Sequence, residues 1–292
     1  MKRLPLLPLL LVSLPLIACA QAPRVTTPTG GPTSAPVKVA TVPRTPAPAI
    51  AAPRSIVVDY ETGRVLYAKN ADQPCAVAST QKLITALCVF DAGNLNKKFT
   101  IAKSDTWVEP TKLGILPGEV YTRRKLVGAL LVKSGNDVAR ALARDNAGSE
   151  AKFAAVMNRK ARSIGMKNSN FLNPHGLTAK GQYSTARDMA ICAREAYKNP
   201  VIRSITNTRS YTFQYANGRT KRLTNTNKVL KRLSYCNGMK TGTTRASGRC
   251  LISSGTLNGR TAIVVVLGAT TQTVWNDSEK LLRWALERPA SR

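Results

Sequence analysis

The chain has 292 residues, 43% hydrophobic and 20% charged, a balance that excludes a disordered or fibrous chain and allows one large domain or two small ones. Lys and Arg number 44 against 15 Asp and Glu, a formal charge of +29. The basic residues are scattered as short pairs such as Arg123-Arg124, Lys221-Arg222 and Lys231-Arg232, with no long run and no interleaved aromatics, which argues against nucleic acid and for work near an anionic surface polymer.

In chain order, Lys2-Arg3 precede an apolar run from Leu4 to Ile17 broken by Pro5, Pro8 and Pro15. A spanning helix needs about 20 apolar residues, so residues 1–19 read as a signal peptide. Its end, Leu16-Ile17-Ala18-Cys19, resembles the lipobox of bacterial lipoproteins, whose cysteine becomes the lipidated first residue; Ala18-Cys19-Ala20 also fits an ordinary small-x-small cleavage site. The lipidated reading is preferred, placing the protein in the cell envelope on a lipid at Cys19. Residues 20–53, rich in Pro, Thr and Ala, cannot bury enough to offset chain entropy and read as an extended tether. Residues 54–292 read as the folded domain.

That domain starts with a hairpin, Ser55–Asp59 and Arg64–Tyr67 around Glu61-Thr62-Gly63. An apolar helix follows from Ser79 to a glycine stop at Gly93. Amphipathic helices are expected at Arg123–Val132, Asp137–Asp145, Ser149–Ile164 and Thr185–Tyr197. A second β region opens at Tyr211–Tyr215 and turns at Asn217-Gly218. Strands around Gly238–Thr241, Arg249–Ser253 and Thr261–Leu267, the last two turning at Asn258-Gly259, lead to a final helix, Asp277–Leu286. Strands at both ends and helices between them predict an α+β fold: one antiparallel sheet flanked by helices, with a helical lobe inserted. With Cys19 set aside, Cys75, Cys88, Cys192, Cys236 and Cys250 remain. Cys88 and Cys192 lie in apolar helical stretches and read as core residues. Cys236 and Cys250 flank one expected hairpin, where an oxidising compartment permits a bridge without requiring it. No Cys-x-x-Cys or Cys/His cluster occurs, so no metal site and no cofactor are expected. Trp107, Trp275 and Trp284 read as packing residues.

Three short motifs carry the chemistry. Ser79-Thr80-Gln81-Lys82 places an amine one helical turn from a hydroxyl, and a lysine kept neutral by burial can activate a serine. Ser134-Gly135-Asn136 falls in a tight turn between two helices. Lys240-Thr241-Gly242 lies on a strand, where the glycine permits close approach of another group to the backbone. Each alone has a bland reading as a cap, a turn or a strand. Together and in this order they form the signature of penicillin-binding proteins and class A β-lactamases.

The wider text, including Ala78–Leu87, Lys133–Val138, Phe171–Leu177, Tyr183–Met189 and Gly238–Thr243, resembles the D-alanyl-D-alanine carboxypeptidase family from Ser55 to Leu286. The resemblance implies a β-lactamase/DD-peptidase-like fold and a peptidoglycan stem peptide ending in D-Ala-D-Ala as substrate, with β-lactams as covalent inhibitors. It implies Ser79 as nucleophile, Lys82 as base and Ser134 as proton relay. Asn136 would hold the peptide amide, and Lys240, Thr241 and Gly242 the terminal residue. The Ser79 and Thr243 backbone N–H groups would form the oxyanion hole. His175, the single histidine, is read as structural, and Asp137 as a first-turn helix residue. Larger members carry a further C-terminal β domain and an amphipathic anchor, whereas this chain ends at Arg292; that departure resembles the shorter, endopeptidase-like members, which cut D-Ala cross-links. A class A β-lactamase is disfavoured because no Glu-x-x-x-Asn element lies between Ser134 and Lys240, and a wall-binding protein without activity because all three motifs are intact.

Overall fold

The computed structural model describes residues 45–287; the signal peptide, Cys19 and residues 20–44 of the expected tether lie outside the described residues. In chain order the elements are β1 (Arg54–Asp59), β2 (Val65–Lys69), a 3₁₀ turn (Ala78–Gln81), α1 (Lys82–Asp91), β3 (Lys98–Thr100), β4 (Val120–Thr122), α2 (Arg123–Val132), α3 (Asn136–Ala147) and α4 (Glu150–Ser163). After these come α5 (Ala186–Lys198), α6 (Pro200–Asn207), β5 (Ser210–Gln214), β6 (Thr220–Thr224), α7 (Val229–Arg232), β7 (Cys236–Thr244), β8 (Gly248–Leu257), β9 (Arg260–Ala269) and α8 (Thr273–Leu286).

Side-chain alternation decides the main sheet. Along β9, Ile263, Val265 and Leu267 enter one core while Ala262, Val264 and Val266 enter another. A strand that is apolar on both faces belongs in the middle of a covered sheet, and β9 is the central strand of the antiparallel order β2-β1-β9-β8-β7. The N-terminal hairpin therefore joins the C-terminal strands, with Ile56 opposite Val265 and Val57 opposite Val264. One face packs on α8, whose Leu281, Leu282 and Trp284 fill the smaller core. The other face packs on α5 and on the lobe of α1, α2 and α3, which share the larger core. The β5–β6 hairpin and the β3–β4 pair form separate two-stranded sheets.

The folded part begins before Arg54. Ala52 N donates to Asp277 Oδ2 at 2.8 Å, and the Trp284 indole N–H donates to the Thr45 carbonyl at 2.9 Å. The last residues assigned to the tether thus strap across α8.

The bridge entertained for Cys236 and Cys250 is ruled out by register. Cys236 lies opposite Gly255, whereas Cys250 lies opposite Gly242, six residues farther along β7. That offset is about 20 Å, and a disulfide requires Cα atoms within about 7 Å; both cysteines are free and buried. Helix α6 was not foreseen, although its signal is in the chain: Asn199 accepts from the Val201 and Ile202 amides as N-cap, and Pro200 sits in the first turn.

Candidate active site

Ser79 does not open an α-helix, as the apolar run predicts; it sits in the 3₁₀ turn ahead of α1. The difference matters, because at three residues per turn the side chains of positions i and i+3 eclipse each other. Lys82 Nζ lies 2.7 Å from Ser79 Oγ, 2.6 Å from Asn136 Oδ1 and 2.8 Å from the His175 carbonyl. A charged ammonium donates to all three. A neutral amine donates to the two fixed acceptors, Asn136 Oδ1 and the His175 carbonyl, and turns its lone pair to the Ser79 hydroxyl. The Ser79 hydroxyl has an alternative acceptor in the His175 carbonyl, at 3.1 Å.

The surroundings favour the neutral amine. Lys82 is 0% exposed, and burial drives its pKa well below the usual lysine value; the charge of Lys240 pushes the same way, and the Asp137 carboxylate opposes both. Asp137 has its own structural task in the first turn of α3. Its carboxylate accepts from the Leu113 and Gly114 amides at 2.9 and 2.8 Å, pinning the loop that precedes β4 beside the cleft.

Ser134 lies between α2 and α3 with φ of +70°, and Ala78, just before the nucleophile, has φ of +47°. Non-glycine residues in this region cost of order 1–3 kcal/mol and persist where packing over-determines them. The strained turn at Ser134 brings its Oγ to Lys240 Nζ, 2.9 Å away. Among the described residues no hydrogen bond joins Ser134 to Lys82, so the expected relay meets the second lysine. Asn136 spends its amide on Lys82 and, at 2.5 Å, on the Pro110 carbonyl.

Strand β7 forms the opposite wall. Lys240 is 0% exposed; its Nζ donates to Ser134 Oγ and to the Thr241 carbonyl, and burial lowers its pKa to about 7. Thr241 Oγ1 donates to Thr226 Oγ1 at 2.7 Å. A Cβ on Gly242 would stand 2.7 Å from the Ser79 nitrogen, so only glycine lets β7 press on the nucleophile's turn and bring Thr243 beside it. Gly176 serves the other side, where a Cβ would meet the Ala78 carbonyl oxygen at 2.2 Å.

All eight residues expected in the site, from Ser79 to Thr243, thus gather at one cleft. Sequence reasoning missed the His175 carbonyl as a lysine acceptor, Thr226 as a partner of Thr241, and Arg249, whose guanidinium donates to Thr243 Oγ1 at 3.0 Å. The Asn225-Thr226-Asn227 text was the available signal for Thr226; a backbone carbonyl leaves none. The His175 ring faces away to Glu150, with Nε2 3.3 Å from Oε2. Trp284 packs as expected, whereas Trp107 does not: it is 64% exposed, in the short loop after a 3₁₀ turn at Lys103–Thr106.

The family model described as D-alanyl-D-alanine carboxypeptidase matches residues 40–271. The chain is 36% identical over 222 residues to the D-alanyl-D-alanine carboxypeptidase DacF of Bacillus subtilis, covering 74% of this chain and only 57% of that protein. It is 32% identical over 246 residues to a D-alanyl-D-alanine endopeptidase of Escherichia coli, covering 81% of this chain and 78% of the other. A crystal structure of a D-alanyl-D-alanine carboxypeptidase from Mycobacterium tuberculosis superposes with a TM-score of 0.80 at 32% identity, covering 86% of this chain and 98% of that one. On this match of sequence and fold, the chain belongs to the D-alanyl-D-alanine carboxypeptidase family.

Proposed function

We propose that this chain is a serine D-alanyl-D-alanine carboxypeptidase that trims the terminal D-Ala of peptidoglycan stem peptides. The observation that carries the reading is the buried Lys82 amine, held by two fixed acceptors with its third direction on Ser79 Oγ. Lys82 takes the serine proton as Oγ attacks the carbonyl of the penultimate D-Ala. The Ser79 and Thr243 amides receive the oxyanion, in a turn that Gly242 keeps close. The proton taken up by Lys82 passes by way of Ser134 to the departing amine, and water then hydrolyses the ester and restores the Ser79 hydroxyl. Lys240 and Thr241, on the β7 wall of the cleft, receive the terminal carboxylate, the Thr241 hydroxyl turning to it from Thr226 Oγ1. β-Lactams acylate the same hydroxyl and act as inhibitors.

Export to the envelope with a lipid on Cys19 belongs to the same proposal; it rests on the sequence of residues 1–19. Among the described residues no helix is long and apolar enough to cross a membrane. The test is a fluorescent penicillin together with D-Ala release from a purified monomeric pentapeptide. Ser79-dependent labelling and release support the reading, and folded wild-type protein that does neither overturns it.

A further inference from the structure

The His175 carbonyl, which accepts from both Lys82 and Ser79, sits on a turn held from two sides. Asn173 Oδ1 accepts from the Gly176 amide at 2.8 Å, and Asn173 Nδ2 donates to the Leu177 carbonyl at 2.9 Å. On the other side Gly176 lies so close to Ala78 that a Cβ would meet its carbonyl oxygen at 2.2 Å. A shift of this turn is therefore passed on to the nucleophile and its base.

The His175 ring supplies a third hold. Its Nδ1 accepts from the Leu177 amide at 3.2 Å, so that nitrogen carries no proton. The residue is 7% exposed. Burial lowers its pKa below the usual histidine value; the Glu150 carboxylate opposes, and charge on Lys82 and Arg140 adds to the lowering. The neutral ring then has its one proton on Nε2, which lies 3.3 Å from Glu150 Oε2. The other oxygen, Oε1, accepts from Arg140 Nε at 2.6 Å, and Arg140 Nη1 donates to the Trp107 carbonyl. Glu150, in the first turn of α4, is not among the described residues that line the cleft. It reaches the reaction through His175.

We propose that Glu150 is a positioning residue for acylation: its carboxylate fixes the Nε2–H form of His175, which keeps Nδ1 on the Leu177 amide and the His175 carbonyl on Lys82. The inference rests on Lys82 acting as the base of the carboxypeptidase reading. The position requires two acceptors. A glutamine offers one oxygen and one NH₂ group, and the Arg140 Nε–H, which can only donate, takes the oxygen. The NH₂ group then faces Nε2 and favours the Nδ1–H form, which sets a second proton against the Leu177 amide.

His175 is the single histidine of the chain, so the nitrogen spectrum of imidazole-labelled protein, prepared without a histidine tag, reads its tautomer directly. Wild type at neutral pH is expected in the Nε2–H form, and E150Q should shift toward Nδ1–H. With fluorescent penicillin under single-turnover conditions, the maximal acylation rate of E150Q should fall by about tenfold, while the half-saturating concentration changes by less than about twofold. E150D keeps two acceptors on a shorter arm; it should retain the Nε2–H form and recover part of the rate. Wild type that labels with penicillin yet holds its histidine as Nδ1–H overturns the inference and leaves the carboxypeptidase reading intact. An unchanged rate in E150Q overturns it, as does a loss in E150D equal to that in E150Q. If E150Q does not fold, the wild-type tautomer and the E150D rate decide: Nε2–H with a rate within about tenfold of wild type supports the inference, and either result reversed overturns it. Folded wild type that neither labels nor releases D-Ala removes the carboxypeptidase reading itself, and the role of Glu150 in acylation with it.

Discussion

The floor and the outer end of one cleft use positive charge in opposite ways. On the floor, Lys82 and Lys240 are 0% exposed, and their amines are engaged by Ser79, Asn136, the His175 carbonyl, Ser134 and the Thr241 carbonyl. At the outer end, Lys228 and Lys231 face solvent and Arg249 is half-buried against hydroxyls. Burial turns a lysine into a base by penalising its charge; exposure keeps the charge and leaves it for attraction. Substitutions on the floor should therefore change chemistry by orders of magnitude, and those of the exposed lysines should change only the weaker attraction of anionic substrates.

The largest expected effect is Ser79→Ala, which should abolish the acyl-enzyme and reduce turnover by roughly 10⁴–10⁶-fold, read from D-Ala release and intact-protein mass after penicillin. Next is Lys82→Arg, which puts a permanent positive charge where the neutral amine stood and cannot supply a base; acylation should fall by roughly 10²–10⁴-fold. Gly242→Ala inserts a methyl 2.7 Å from the Ser79 nitrogen. It should displace the β7 backbone from the nucleophile's turn and cost about 10²–10³-fold in kcat, with a smaller change in KM.

Lys240 sharpens the contrast through stability. Its pKa is about 7 in the fold, against about 10.4 in an unfolded chain. Between these values the unfolded state holds the proton and the folded state does not, so stability should rise as pH increases from about 7 to about 10. Below pH 7 the full penalty remains, on the order of several kcal/mol. Lys240→Met should lose activity, flatten that part of the curve and raise Tm at neutral pH, as scanning calorimetry can record. The smallest effect is expected for Arg232→Gln, whose guanidinium is already engaged by Asn276 and Glu279; D-Ala release should change by less than about twofold.

What could be read in advance follows from where information resides in a chain. The continuous, β-branched apolar run in Thr261–Leu267 and the turn residues Asn258-Gly259 specify paired strands, and the bounds expected for α2 coincide with those found. Ser79, Ser134 and Lys240 were legible because their spacing and flanking text recur together. Backbone groups were not legible: nothing in the His175 side chain announces that its carbonyl holds Lys82. Long-range register was equally hidden, which is why a bridge between Cys236 and Cys250 stayed open in the sequence though they lie six residues apart along one ladder. Composition misled at the strap, since Pro- and Ala-rich text gives no sign that the Ala52 amide is bonded to Asp277. It misled again at Trp107, where a large apolar side chain lies in a loop that no core reaches.

The most direct test of a buried, neutral lysine acting on Ser79 is the pH dependence of acylation by a fluorescent penicillin under single-turnover conditions. The rising limb should be complete well below the usual lysine pKa and should disappear in Lys82→Arg. A limb centred near the ordinary lysine value of about 10.4, or one that survives unchanged in Lys82→Arg, would contradict the assignment of Lys82 as the base.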